Sequence, residues 1–319
     1  MNDMNVSLPT IDNDIKTTVV TGCDNKFAWG ALLLVASMRK NKMPHPVVVG
    51  TMDWTDDMKR HILALGDVTL HELPKSKQCV ACQKPTLMSC DEVKTDWVCW
   101  ADADAIFVGD CSEWLLGNDP DEIVIRKCSP PPPLLTAKVL AIWQHDVEAL
   151  CGKALPESRL GNTTVNNPFI VLHRKWRPFL VNWRIQIERV IAPDVMTPWQ
   201  KNSAYFQTDE SVLGSLLCFA PDAPKVTERY KANGSIDRNR YFAHFAYNPK
   251  PWQMWNSYSI RWYDEVSSVV AWLVEQAIIK PNEIPRSLKK SWWPVFRSVA
   301  PLAPWVWRFI KLKRKIFGA

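Results

Sequence analysis

Residues 97–108 read WVCWADADAIFV: an apolar run from Trp97 to Ala101 is interrupted by Asp102 and Asp104 and resumes from Ala105 to Val108. A short apolar run of this kind is the pattern of a buried strand. Ionised carboxylates inside it are costly to desolvate unless a cation meets them. Two acids one residue apart, in an extended or turn segment, can direct both carboxylates at a single ion, and such hard oxygen donors suit Mg²⁺ or Mn²⁺. Asp-x-Asp triplets also occur in surface turns, but the flanks Cys99–Ala101 and Ile106–Val108 argue against a surface turn here.

Upstream, strand-like and helix-like patterns alternate. Lys16–Thr21 (KTTVVT) is rich in β-branched residues and runs into Gly22-Cys23-Asp24-Asn25, while Phe27–Arg39 carries apolar residues at helical spacing. Pro46–Thr51 (PVVVGT) predicts a second strand, Asp56–Leu65 a second helix and Val68–Leu73 a third strand. An α/β fold with a largely parallel sheet follows. In such sheets ligands sit beyond the carboxyl ends of the strands, which makes the loop 22–25 after the first strand a candidate nucleotide contact. Downstream, Pro130–Pro133 marks an exposed connection or lid edge, the pattern returns to strand from Thr164, and Pro178–Ile191 predicts a helix. Gln207-Thr208-Asp209-Glu210 opens another, and no internal repeat is visible.

The composition, 319 residues with 47% hydrophobic and 23% charged, is that of a globular chain and excludes disorder, collagen and small disulfide scaffolds. The aliphatic stretch Ala31–Ala36 is far too short to span a membrane, and the N-terminus is too polar for a signal peptide, so a cytoplasmic protein is expected. Nine cysteines, an odd number, suit free thiols in a reducing compartment. Cys79-Val80-Ala81-Cys82, with Cys90 nearby, lacks a second pair and is read the same way.

The net charge of +6 is unevenly distributed. Nothing after Glu283 is acidic, and that tail holds nine Lys and Arg residues, which leaves residues 1–283 at −3. Eight of the 17 tryptophans lie from Trp252 onward, and Trp favours the membrane–water interface. At helical periodicity Trp305, Phe309, Leu312 and Ile316 share a face, with Arg308, Lys311, Arg314 and Lys315 opposite and Lys313 snorkelling. This predicts an interfacial helix on anionic lipid; the alternative is a helix packed on the body of the protein.

Three further residues have two readings each. His244, in Tyr241-Phe242-Ala243-His244-Phe245, is either a neutral core histidine or a ligand. Lys250, before Pro251-Trp252, and Lys84, before Pro85, are either positioned phosphate contacts or solvated lysines.

In their order these motifs resemble the GT-A-fold glycosyltransferases, and within them the glycosyltransferase family 8 group that includes bacterial lipopolysaccharide galactosyltransferases and glycogenin. The resemblance runs from about Thr17 to Trp252. It rests on Asp24-Asn25 after the first strand, Lys84 before the acidic pair, Asp102-Ala103-Asp104, Asn166 or Asn167 before a strand, Asp209-Glu210, and His244 with Lys250-Pro251-Trp252. It implies that Asp102, Asp104 and His244 hold Mn²⁺ (or Mg²⁺), that Asp24 and Asn25 contact the nucleoside, and that Lys84, Asn167 and Lys250 meet the diphosphate or sugar. It further implies that Asp209 and Glu210 are catalytic.

The chain departs from the family pattern at Tyr247, in place of a glycine, at Pro168 and at Glu210, in place of a glutamine. A carboxylate at 210 can act as a base or stabilise a cationic sugar, where an amide can only hydrogen-bond; the alternative is a helix N-terminal acid favoured by the dipole.

The expected organisation is a polar segment over 1–15, a GT-A catalytic domain over 16–255 with a mainly parallel sheet flanked by helices, and a helical, Trp-rich basic extension over 256–319. The expected activity is transfer of a hexose from a UDP-sugar to a glycan, lipid-anchored as in lipopolysaccharide or capsule, at the inner membrane face, with no nucleic acid involved. The rival readings are a nucleotidyltransferase, which should carry a glycine-rich basic phosphate loop where this chain has Thr21-Gly22-Cys23-Asp24, and a non-catalytic membrane-associated sugar-nucleotide binder.

Overall fold

The computed structural model describes residues 15–75, 78–228 and 241–309. The first half is a parallel sheet built by strand–helix repeats: β1 (Thr17–Asp24), α1 (Ala28–Lys40), β2 (Val47–Met52), α2 (Asp56–Leu63) and β3 (Val68–Glu72). After the short helix α3 (Lys84–Met88), β4 (Trp97–Ala101) returns to the other side of β1, giving the order β3-β2-β1-β4 with every pair parallel. Beyond β4 the sheet continues through β7 (Val165–His173), which is antiparallel to both β4 and β6 (Glu122–Lys127), and ends at β8 (Lys225–Thr227), parallel to β6.

Residues 97–108, which the sequence pattern presents as one broken run, form two strands. Asp102 to Asp104 make a turn, and β5 (Ala105–Phe107) leaves the main sheet to pair antiparallel with β9 (Phe242–His244), with Ala105 opposite His244.

Alternation along the strands explains why both faces are apolar. Val19, Val49, Cys99 and Ala101 face one core with α1; Val20, Val48, Val98 and Trp100 face the other, with α4 (Ala137–Cys151), α5 (Arg177–Val190) and α6 (Thr208–Phe219). The period of two along a strand sends neighbours to opposite faces, and a sheet covered on both sides needs apolar residues at each. Leu32, Leu33 and Leu34 of α1 are all fully buried, each worth about 1.5–3 kcal/mol of transfer free energy.

The sequence pattern missed α4, although its ends carry clear signals: the Thr136 hydroxyl accepts the Val139 N–H, and Gly152 closes the helix at φ 74°. An N-cap hydroxyl and a left-handed glycine are the ordinary start and stop of a helix.

The helical C-terminal region is present. α7 (Tyr263–Glu275) buries Val266, Val269, Val270 and Leu273 in the same core as α1. Trp293, at the start of α8 (Trp293–Val299), stacks on Tyr263 with ring centroids 3.7 Å apart. The indole of Trp255 donates to the Ser287 carbonyl at 2.7 Å, so residues 256–300 continue the core rather than standing away from it. The last described helical turns, 303–309, bury Ala303 and leave Trp305 and Phe309 each 68% exposed. Lys311–Lys315, with Leu312, Ile316 and Phe317, lie outside the described residues. All nine cysteines are free, and among the described residues no helix is long and apolar enough to cross a membrane.

Candidate active site

The acidic turn after β4 sits where three distant segments meet. Strand β9 brings His244 to it by pairing with β5, and the Phe245 N–H donates to the Asp104 carbonyl at 2.7 Å. Pro168 on β7 accepts the Asp102 N–H at 2.8 Å. Helix α1 closes the third side, and there Gly30 is required: a Cβ at this position would lie 2.3 Å from the Ala103 carbonyl and 2.5 Å from the Trp252 ring. Only glycine lets the helix approach the turn this closely.

Each carboxylate has one oxygen fixed by protein donors and the other turned to the histidine. Oδ1 of Asp102 accepts the Trp100 indole N–H at 2.7 Å and lies 3.0 Å from Lys84 Nζ, while its Oδ2 is 3.7 Å from His244 Nε2. Oδ2 of Asp104 accepts Lys250 Nζ at 2.5 Å, and its Oδ1 is 3.3 Å from the same imidazole nitrogen. One ligand atom from each of Asp102, Asp104 and His244 falls within 4.8 Å of the others. Two carboxylate oxygens and one imidazole nitrogen, steadied by outer hydrogen bonds, fit a divalent ion such as Mn²⁺.

Lys84 and Lys250 are buried, Asp102, Asp104 and His244 are partly so, and their charges balance. Burial works against the Asp104 carboxylate, but Lys250 and His244 outweigh it and hold its pKa well below the usual range. Burial likewise opposes charge on His244, which Asp104 reverses, raising the imidazole pKa. For Lys84 burial is again overcome, by Asp102 and then Asp209, and the ammonium stays charged far above neutrality. Its proton donors reach the side-chain oxygen of Asn167 at 2.8 Å and Asp209 at 3.4 Å.

Helix α6 delivers the second acidic pair. Thr208, at φ 38°, places Asp209 and Glu210 on the first turn facing β7. A β-branched residue at positive φ costs on the order of 1–3 kcal/mol, the kind of local strain that collects at functional positions. Asp209 accepts the Asn167 side-chain N–H at 2.8 Å, and its carbonyl accepts the Trp183 indole at 3.0 Å. Glu210 Oε2 accepts the Asn167 backbone N–H at 2.8 Å and the Asn166 amide at 2.9 Å, and Oε1 accepts from Gln207. Burial dominates its titration and, with Asp209 nearby, pushes the carboxyl up to about 7.

Asp102, Asp104, His244, Lys84, Lys250, Asn167, Asp209 and Glu210 are therefore joined in one hydrogen-bonded and ion-paired group. Asp24 and Asn25 are placed differently, at the end of β1. Asp24 caps the Lys26 N–H at 3.0 Å, and the Lys26 carbonyl accepts the Trp252 indole at 3.0 Å, which ties this loop to Lys250. Asn25 lines a neighbouring cleft of about 370 Å³ with Trp29, Thr55, Met58 and His61. Trp100, Gln207 and Gly30 take part in building the site without any sequence signal of their own; their roles come from contacts made across the fold.

The architecture is that of the GT-A glycosyltransferases. The bifunctional glycosyltransferase WbbM superposes on 85% of the chain with a TM-score of 0.51 at 16% identity, and the glycosyltransferase GlyE of Streptococcus pneumoniae TIGR4 on 85% with a TM-score of 0.50 at 13% identity. The chain spans about half the length of WbbM, 52%, and 66% of GlyE. No protein-family model and no curated protein matches it.

Proposed function

We propose that the chain is a metal-dependent glycosyltransferase that moves a hexose from a UDP-sugar to a glycan acceptor. The observation that carries this reading is the convergence of Asp102, Asp104 and His244 beside two buried lysines, at the carboxyl end of β4 in a GT-A fold. When the bond from the anomeric carbon to the nucleoside diphosphate breaks, negative charge grows on the leaving phosphate. A divalent ion held by these three side chains supplies the stabilisation of that charge. Asp24 and Asn25 contact the nucleoside, and Lys84 and Lys250 hold the carboxylates in register while their positive charge faces the diphosphate. Asn167, Asp209 and Glu210 line the sugar; Glu210, with its pKa near neutrality, takes a proton from the acceptor hydroxyl or stabilises a cationic sugar.

The acceptor is lipid-anchored, and the enzyme works at the inner face of the membrane. Leu302, Trp305 and Phe309 are exposed apolar side chains at helical spacing, accompanied by Arg297 and Arg308 and no acid, which supports seating on anionic lipid. Each cationic side chain near such a surface contributes about 1 kcal/mol.

The decisive experiment incubates purified protein and Mn²⁺ with a panel of nucleotide sugars. Slow hydrolysis of a UDP-hexose that stops on chelation is the expected result; no hydrolysis and no Mn²⁺-dependent binding of any donor overturns the reading. For the membrane part, full-length protein should bind anionic vesicles and release with salt, and a chain ending at Ala303, which keeps the core contacts, should hydrolyse donor without binding vesicles.

A further inference from the structure

At the β3 edge of the sheet, three strands away from β4 and its acidic turn, a second set of ligand-type side chains converges. His71 lies on the edge strand β3, and Cys90 and Glu92 lie in the turn after α3. One ligand atom of each is within 4.8 Å of the other two, and His71 Nδ1 is 2.9 Å from Glu92 Oε1. All three residues are partly exposed, which gives an ion a path in from solvent.

The turn that carries the thiol is held by its own backbone, the Val93 N–H donating to the Cys90 carbonyl at 3.3 Å, which fixes the positions of Cys90 and Glu92 beside His71. One imidazole nitrogen, one sulfur and one carboxylate form a softer set than the acidic turn and match the ligands of zinc, whose three-residue sites leave a fourth position to water.

We propose that His71, Cys90 and Glu92 bind a zinc ion that clips edge strand β3 to the turn after α3. The same segment begins with Lys84, so the clip steadies the helix that delivers this lysine to Asp102 and Asp209. The proposal stands independently of the sugar-transfer reading.

Cobalt is the test probe. Added to reduced, metal-stripped full-length protein, Co²⁺ should produce a sulfur-to-metal charge-transfer band that saturates at one equivalent and is bleached by Zn²⁺. The band should persist in the Asp102→Ala/Asp104→Ala double variant and disappear in Cys90→Ser. His71→Ala, at an edge strand, should lower affinity by at least about tenfold, and affinity should fall as pH drops because the ion must displace the Cys90 proton. Absence of the band, its survival in Cys90→Ser, or its loss in the double aspartate variant overturns the proposal.

Discussion

Two three-residue clusters in this molecule each bring their ligand atoms within 4.8 Å of one another and are chemically opposite. Asp102, Asp104 and His244 are the deeper set, their side chains 14 to 23% exposed, hard in donor type, with two buried ammonium groups bonded to the carboxylates. His71, Cys90 and Glu92 sit at the sheet edge with a thiol among them, and no lysine among the described residues is ion-paired to the set. Compactness alone therefore says little about a ligand. Buried carboxylates must be neutralised to exist at all, so the deeper cluster is built with its own cations, whereas solvent does part of that work at the edge.

The comparison breaks most decisively at the acidic turn. Asp104→Ala should abolish Mn²⁺-dependent donor binding and reduce turnover by orders of magnitude, while Cys90→Ser, which only loosens the helix carrying Lys84, keeps that binding and costs turnover far less; donor hydrolysis assays of the two variants side by side decide this, and undiminished turnover in Asp104→Ala would sink the acidic site. Next in size is Lys84. Removing one partner of a buried ion pair costs about 3–5 kcal/mol, so Lys84→Ala should lower the denaturant midpoint severely, and Lys84→Met, which keeps the packing, somewhat less. A loss no larger than that of an exposed lysine would show that the interior charges are not held as described.

Glu210 sharpens the same contrast through pH. Its carboxyl titrates near 7 in the folded protein against an ordinary 4.5. The folded state thus holds this proton more tightly, a stabilisation complete below pH 4.5 and lost as pH rises through 7. It amounts to at most about 3 kcal/mol. Urea titrations should therefore show Glu210→Gln gaining on the wild type by up to that amount across this window, and a pH-independent difference would place the carboxyl in a wetter site. The same substitution should cut turnover strongly with little change in UDP affinity, since an interaction made mainly in the transition state alters rate rather than ground-state binding. The smallest effect is expected for Arg177→Ala. Its ion pair with Asp91 borders the Cys90 turn, but both side chains are exposed. Stability and cobalt affinity should not change measurably.

Much of the interior was legible in the chain. Strand–helix alternation over the first seventy residues announced the parallel sheet, and apolar flanks around Asp102 and Asp104 announced a buried acidic pair. Asp209 and Glu210 were visible as first-turn acids, yet their orientation was not, because it depends on Thr208 at positive φ and on Asn166 and Asn167 some forty residues earlier. The edge cluster was invisible for a related reason: Cys90 read as a spare thiol near Cys79 and Cys82, and nothing in the pattern of His71 indicated that its strand lies beside residues 90–92.

Sequence by itself determined which residues had to be inside and that two of the buried ones were acids needing a cation, since burial follows from local periodicity and the charge requirement from desolvation. Tertiary structure alone decided which cations answer them. Lys250 reaches Asp104 across 146 positions, and His244 arrives by the pairing of β5 with a three-residue strand too short to carry a pattern of its own. Periodicity reports the environment a side chain demands, whereas the partner that supplies it is set by chain crossings that no local window contains.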